Sequence, residues 1–153
     1  MQVRYASEAD VTALAQLVVE SVRMLGPMLY SDEQVEAWVA MADDTENFRA
    51  KIVDASCLIA EEDNQPLGFA TLAPDGEVGM LYVRWDRSRQ GIASTLLQEI
   101  VALAETRGLA RLHTIASKFS RRLFSRFAFS VAETEQSEHH GAVFVRYRMT
   151  RDI

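Results

Sequence analysis

Residues 80–94 read MLYVRWDRSRQGIAS and join the end of an apolar strand to the start of a helix. Gly91 would let the backbone come close to a ligand, and small residues follow it in the first helical turn. Free N–H groups and the helix dipole make such a helix start a binding site for anions. The loop also carries three arginines, namely Arg84, Arg87 and Arg89. The stretch therefore indicates a phosphate or pyrophosphate site, although an ordinary strand-to-helix connection with solvated arginines would show the same features.

The loop does not match two well-known phosphate-binding motifs. A Walker loop needs Gly-Lys-Ser/Thr, and no such triplet follows Gly91. A dinucleotide fingerprint needs three glycines after the first strand of a βαβ unit, whereas this loop follows a series of short strands.

The segments around the loop predict alternating strands and helices. Residues 57–60, 67–72 and 77–83 are apolar runs of strand length separated by tight turns, so they predict an antiparallel meander. Apolar positions between residues 92 and 104 recur at helical spacing, and residues 112–115 form the next strand. A strand, a helix and a strand in this order imply a parallel pair with a right-handed crossover.

The two ends of the chain complete a mixed α+β pattern. Ser7 and Ser31 each have a capping partner three residues on, which predicts two helix starts. The other predicted elements are a strand at 3–5, a weak helical piece at 48–53, a short basic helix at 118–127, and strands at 129–135 and 143–149 joined by a loop at 136–141. Because no linker or repeat interrupts this order, residues 1–153 are expected to form one α+β domain.

Composition and charge exclude several classes of protein. With 153 residues, 48% of them hydrophobic and 25% charged, the chain is typical of one globular domain. A single cysteine, Cys57, excludes an internal disulfide framework, and its apolar neighbours favour a buried thiol over a nucleophile. The net charge of −6 disfavours general nucleic-acid binding. Neither a leader nor a membrane-spanning stretch is recognisable, so a cytoplasmic location is expected.

The order of elements and the loop at 80–94 resemble the GCN5-related N-acetyltransferases (GNAT). In that family the helix after the fourth strand starts with Gln/Arg-x-x-Gly-x-Gly/Ala, and here residues 88–93 read SRQGIA, with Ser88 at the first position. A second family pattern, Phe-Tyr-x-x-x-Gly-Phe, corresponds to LFSRFAF at residues 123–129. A YafP-like bacterial subgroup is indicated by Tyr30-Ser31, Trp38 and the segment 138–142.

The resemblance implies a mostly antiparallel central sheet, flanked by helices, in which the parallel fourth and fifth strands splay apart to hold acetyl-CoA. Backbone groups of the fourth strand would pair with the pantetheine arm, and amides at the helix start would hold the pyrophosphate. The residues implied to bind acetyl-CoA are Leu81, Tyr82, Val83, Ser88, Arg89, Gln90, Gly91, Ile92, Ala93, Ser94, Ser117 and Phe124. The basic helix at 118–127 is either a solvated cationic face or a contact for the 3′-phosphate.

Acetyl transfer to an amine requires loss of an amine proton, stabilisation of an oxyanion and protonation of the departing thiolate. Family members usually let the amine attack directly, and a backbone N–H such as that of Val83 would polarise the thioester carbonyl. Glu77 matches a position where some members carry the base; the alternatives are an exposed strand-end carboxylate and a chain of waters. Phe124 stands where the family often has a Tyr that protonates the departing thiolate. Here that proton would come from water or from another hydroxyl, such as that of Tyr82 or Tyr147.

The acceptor is expected to be the primary amine of a small molecule or a peptide. Tyr30, Trp38, His139 and His140 would wall its site, with solvated histidines in the loop at 136–141 as the alternative reading. No metal is expected, because adjacent residues of an extended strand face opposite sides and cannot readily hold one ion.

Two other functions stay open at this stage. Ser88, Phe124 and Ala128 depart from the family pattern and would suit a catalytically weak acyl-CoA-binding sensor or regulatory module. A tRNA-directed acetyltransferase is the second rival, which the net charge of −6 disfavours. The sequence leaves open the identity of the acceptor, the physiological pathway and the oligomeric state, a homodimer included.

Overall fold

Helices and strands in the computed structural model, which describes residues 1–153, follow the order expected from the sequence. The strands are β1 (Gln2–Tyr5), β2 (Ser56–Glu62), β3 (Gln65–Leu72), β4 (Glu77–Val83), β5 (Arg111–Ala116), β6 (Ser130–His139) and β7 (Ala142–Asp152). The α-helices are α1 (Val11–Leu25), α2 (Asp32–Asp43), α3 (Thr45–Val53), α4 (Ile92–Thr106) and α5 (Arg121–Arg126). None of these helices combines the length and the apolar character needed to cross a membrane.

All seven strands belong to one sheet, in the order β1-β2-β3-β4-β5-β7-β6. Neighbouring strands are antiparallel except β4 and β5, which run parallel and are connected through α4. The predicted meander of β2, β3 and β4 and the mostly antiparallel, mixed sheet are therefore confirmed.

Helices cover both faces of the sheet, and each face has its own apolar core. α4 packs on one face through fully buried side chains such as Leu96 and Ile100, while α1, α2 and α3 cover the other. The run CLIA at residues 57–60 is continuously apolar because its side chains alternate between the two cores, with Leu58 on the α4 side and Cys57 opposite. Burial raises the pKa of the Cys57 thiol to about 12, so the predicted buried thiol is confirmed.

The helix starts predicted from capping residues are present in the structure. The Ser31 hydroxyl accepts a hydrogen bond from the Gln34 amide at 3.2 Å, and the Gln34 side chain accepts one from the Ser31 amide at 2.9 Å. Before α1, the Asp10 carboxylate accepts the Ser7 amide at 2.8 Å in the same way. Short polar side chains thus satisfy backbone donors that the first helical turn would otherwise leave unpaired.

β4 and β5 are hydrogen-bonded neighbours only at two positions, at the beginning of β4 and the middle of β5. The paired positions are Glu77 with His113 and Val78 with Thr114, and beyond them the strands separate. At the point of separation the Thr114 hydroxyl donates to the Val78 carbonyl at 2.8 Å. A β-bulge in the pairing of β3 with β4 lies at the same level. The splayed parallel pair that the family resemblance implied is therefore confirmed.

The segment 136–141 corrects a sequence prediction. It was expected to be a loop, but β6 continues through it to His139, and a tight turn at His140–Gly141 leads into β7. The predicted strand at 129–135 is confirmed, but its continuation to His139 was missed because that part of β6 is polar and mostly exposed and shows no apolar alternation.

The short basic helix is also shorter than predicted. It begins at Arg121, because a turn at residues 117–120 precedes it. Within that turn the Ser117 amide donates to the Ser120 hydroxyl at 3.0 Å, and the Ser120 amide donates to the Ser117 hydroxyl at 3.2 Å. Lys118 therefore lies before α5 and does not share a helical face with the arginines.

Candidate active site

A cavity of about 510 Å³ opens where β4 and β5 separate. It extends from the start of α4 on one sheet face to α2 and α3 on the other. Most residues singled out in the sequence line it: Tyr30, Trp38, Leu81, Tyr82, Val83, Ser88, Arg89, Gly91, Ile92, Ala93, Ser94, Ser117, Phe124 and His139. Glu77, Gln90 and His140 do not. No aspartate or glutamate is among the lining residues, so the cavity wall is neutral to cationic.

The start of α4 presents unpaired amides to this cavity. Gly91 precedes the helix with φ +82°, a conformation that glycine adopts readily, and a Cβ placed on it would meet no atom within 4 Å. The Thr95 amide donates to the Gly91 carbonyl at 3.0 Å, so the amides of residues 92–94 lack acceptors within the helix. Open space in front of these amides and the helix dipole together suit an anion.

The three arginines of the preceding turn are not equivalent. Arg84 pairs with Asp86 at 2.6 Å and does not line the cavity. Arg87 lines the cavity but donates to the Gln90 side chain at 2.8 Å and pairs with Glu62 at 3.4 Å. Arg89 lines the cavity and makes no side-chain hydrogen bond or ion pair within the protein. Its charge is therefore the one most available to a ligand.

β4 offers backbone groups to the cavity along its open edge. The Arg84 amide donates to the Leu67 carbonyl on β3 at 2.7 Å. Because backbone groups alternate sides along a strand, those of Leu81 and Val83 point toward the opening that β5 leaves. The Val83 carbonyl accepts the Ser21 hydroxyl at 2.8 Å, and the Val83 amide is left for a ligand.

An aromatic wall separates this opening from α2. The Trp38 indole donates to the Tyr82 hydroxyl at 2.8 Å, and the rings of Tyr30 and Trp38 meet edge to face at 5.3 Å. Burial raises the pKa of Tyr82 to about 12, and it also raises the pKa of Tyr30. Both hydroxyls therefore keep their protons at neutral pH, and the proton of Tyr82 has no acceptor within the protein.

Phe124 and Ser117 lie on the side of the cavity formed by β5 and α5. Phe124 is 2% exposed, and its ring packs against that of Phe129 with a centroid distance of 5.0 Å. The Ser117 hydroxyl accepts the amides of Phe119 and Ser120, both at 3.2 Å, in the turn before α5. Phe124 therefore brings no proton donor to this side of the cavity, whereas the Ser117 hydroxyl keeps a proton of its own.

Glu77 lies beside the cavity wall. The carboxylate Oε1 is 3.4 Å from the point where a Cβ on Gly79 would sit. Gly79 itself lines the cavity, so the carboxylate lies next to a residue of the cavity wall that has no side chain. One bridging water would connect the two.

The structure separates the two histidines. His139 lines the cavity, and its Nε2 is hydrogen-bonded to the Ser137 hydroxyl at 2.8 Å. Burial, together with the nearby charges of Arg146, His140 and Lys51, lowers the pKa of His139 below its usual value, so the ring is neutral at pH 7. His140 occupies the hairpin turn at φ +50°, outside the cavity.

Two cationic side chains of the cavity were missed by the sequence reasoning. Lys51 comes from α3 and Arg146 from β7, and both line the cavity near His139. The available signal for Arg146 was strand alternation, since it follows the buried Phe144 by two residues and shares its face. No local pattern distinguished Lys51 from a solvated lysine.

The fold and the site define a class of protein. The family of the acetyltransferase (GNAT) domain matches residues 28–151 of the chain. The chain therefore belongs to the GNAT family, and it is an acetyl-CoA-dependent acetyltransferase, as the sequence predicted.

Individual relatives agree with this assignment. Over 149 residues the chain is 26% identical to the uncharacterised N-acetyltransferase YafP of Escherichia coli K12, covering 97% of this chain and 94% of that protein. A crystal structure of a GCN5-related N-acetyltransferase from Rhodopseudomonas palustris superposes with a TM-score of 0.94 at 29% identity, covering 99% of this chain and 95% of that one. The PaiA N-acetyltransferase of Thermoplasma acidophilum, solved with coenzyme A, has a TM-score of 0.76 at 22% identity, covering 99% and 98%.

Proposed function

We propose that the protein moves an acetyl group from acetyl-CoA to the primary amine of a small molecule or a peptide by direct attack. The observation that carries this proposal is the continuity of one cavity. Within it, the free amides of α4, the open edge of β4 and a space walled by Tyr30 and Trp38 follow one another. A thioester lying along β4 would have its carbonyl beside the Val83 amide and would face an acceptor entering from the α2 side.

The start of α4 is proposed to hold the pyrophosphate of acetyl-CoA. The amides of residues 92–94 would donate to it, Gly91 leaves room for close approach, and Arg89 supplies an unpaired positive charge. The pantetheine arm would run along Leu81 and Val83, whose backbone groups face the opening. The coenzyme A held by the PaiA protein, which has the same fold, supports a cofactor of this kind.

The reaction forms a C–N bond and breaks a C–S bond. Glu77 takes a proton from the acceptor ammonium through a chain of waters that starts beside Gly79, because about 13 Å of extended strand separates Gly79 from Val83, and the neutral amine attacks the thioester carbonyl. The Val83 amide stabilises the oxyanion. The departing thiolate takes the proton of Tyr82, which lines the cavity and has no other acceptor for that proton. Tyr82 is then reprotonated by the proton that the nitrogen loses as the amide forms.

A catalytically weak acyl-CoA-binding sensor is the second candidate. The observation that favours it is Phe124, which is fully packed and provides no hydroxyl beside the opening. Such a module would bind acetyl-CoA without transferring the acetyl group at a useful rate.

Release of CoA from acetyl-CoA, measured across a broad panel of primary amines, separates the two candidates. We expect at least one amine to accelerate CoA release above the rate of hydrolysis, with the acetylated amine identified by mass spectrometry. Binding of acetyl-CoA with no amine-dependent release would favour the sensor, and failure to bind acetyl-CoA would contradict both functions.

A further inference from the structure

The end of the cavity formed by α3 and β7 has positive charge of its own. Lys51 and Arg146 line it on the sheet face that carries α1 to α3, because Arg146 shares a strand face with Phe144 of that core. Arg89 and the free amides lie at the start of α4, which packs on the opposite face. The cationic end at α3 and β7 is therefore distinct from the proposed site for the pyrophosphate.

The positive charge at this end is only partly compensated. Glu135 accepts hydrogen bonds from Arg146 Nη2 at 3.0 Å and from Arg148 Nε at 2.8 Å, so one carboxylate serves two arginines. Arg146 Nε is buried and has no hydrogen-bond partner. Lys51 makes no ion pair or hydrogen bond within the protein, although it lines the cavity.

Glu135 is shared by two arginines and Lys51 has no partner, so this end of the cavity keeps a net positive charge that an anionic ligand would neutralise. No aspartate or glutamate lines the cavity to offset that charge. His139 is kept neutral by burial and by the same cations, so it adds neither sign of charge. An anionic group on a bound molecule would complement the charges of Lys51 and Arg146.

We propose that the acceptor is an amine that also carries a carboxylate, which Arg146 and Lys51 hold while the amine reaches the thioester beside Val83. The proposal rests on the acetyl transfer proposed above and specifies its substrate class. A guanidinium has donors in a fixed plane that match the two oxygens of a carboxylate, and the lysine adds a second charge. The same side chains would repel a diamine, whose second ammonium would have to occupy this end.

Matched acceptors test the charge separately from size. We would measure acetylation of ω-amino acids of increasing length and of α-amino acids, each beside its carboxamide and a diamine of equal length. We expect kcat/KM to be about 10-fold or more higher for the acids than for the amides, with diamines slowest. Equal rates for acid and amide, or a preference for diamines, would overturn the inference while leaving acetyl transfer intact. Absence of transfer to every amine would contradict the proposed function and this inference with it.

Three variants locate the effect in the structure. Arg146→Gln and Lys51→Gln should each lower kcat/KM for carboxylated acceptors by about 10- to 100-fold, mainly through KM, and leave the amides and acetyl-CoA binding unchanged. Arg148→Gln is the matched control, since Arg148 also pairs with Glu135 but does not line the cavity. If Arg146→Gln does not fold, Lys51→Gln alone provides the test, because Lys51 is exposed and its replacement should not disturb folding. An unchanged ratio of acid to amide in the folded variants would overturn the assignment.

Discussion

Glu77 is the side chain to which we assign removal of the acceptor proton. Glu77→Gln keeps the shape and loses the base, so kcat should fall by about 10²- to 10⁴-fold while acetyl-CoA affinity changes little. Steady-state kinetics with the best acceptor and calorimetry with acetyl-CoA measure the two effects. Glu138→Gln on the exposed face of β6 serves as the control. Full activity of Glu77→Gln across the pH range would show that Glu77 is a surface carboxylate with no part in proton removal.

Phe124 offers the converse test, because it lacks a hydroxyl where many family members have one. Phe124→Tyr should bind acetyl-CoA as the wild type does and turn over at least as fast, with a gain limited to about 10²- to 10⁴-fold if protonation of the thiolate limits the rate. A buried hydroxyl without a partner costs about 1–3 kcal/mol, so stability is measured alongside turnover. A sharp fall in turnover at unchanged stability and affinity would mean that residue 124 does not lie beside the sulfur.

At the scale of one element, Asp10 ties the start of α1 to β1. Its carboxylate accepts the Ser7 amide at 2.8 Å and two donors of Arg4 at 2.9 and 3.0 Å. The side-chain hydrogen bonds from Arg4, the largest cause, hold the pKa of Asp10 at about 2, below its ordinary value of 3.8. The carboxylate therefore stabilises the fold fully above about pH 4, and this contribution is lost as the pH falls from 4 toward 2.

Asp10→Asn should accordingly lower the free energy of unfolding at pH 7 by about 1 kcal/mol, an amount limited by solvent screening of the pair. Urea unfolding at pH 7 and pH 3 measures the difference, which should shrink at the lower pH. Asp32→Asn, in the first turn of α2 and without a side-chain hydrogen bond, is the matched control. A loss at pH 3 as large as that at pH 7 would contradict the assigned ionic role.

Elements whose signals are local were predictable from the sequence. Ser31 and its capping partner fix the start of α2, and the apolar run at 57–60 marks a strand covered on both faces. The second half of β6, residues 136–139, gave no such signal, because a polar strand segment that packs against no core shows no apolar alternation. Lys51 and Arg146 come to line one cavity only through the tertiary fold, which no local pattern encodes.

For the whole molecule, the connection from β4 through α4 to β5 determines where the chemistry lies. Because a crossover helix starts directly after the first strand of a parallel pair, the free amides of α4 come to the same edge as the opening beyond Val78 and Thr114. That arrangement is encoded within residues 80–94, which is why the free amides at the start of α4, the proposed cofactor end of the cavity, could be predicted from the sequence. The proposed acceptor end combines α2, α3 and β7, which are far apart along the chain, so no local pattern predicts it.

The most direct test of the central claim, that acetyl-CoA binds where β4 leads into α4, compares two glycines at opposite ends of that helix. Gly91 and Gly108 have φ of +82° and +70°, and a Cβ on either would meet no atom within 4 Å, so substitution strains both backbones alike. Calorimetry should show acetyl-CoA binding about 10- to 100-fold weaker for Gly91→Val and unchanged for Gly108→Val. Unchanged affinity in a folded Gly91→Val protein, or an equal loss in both variants, would contradict the account.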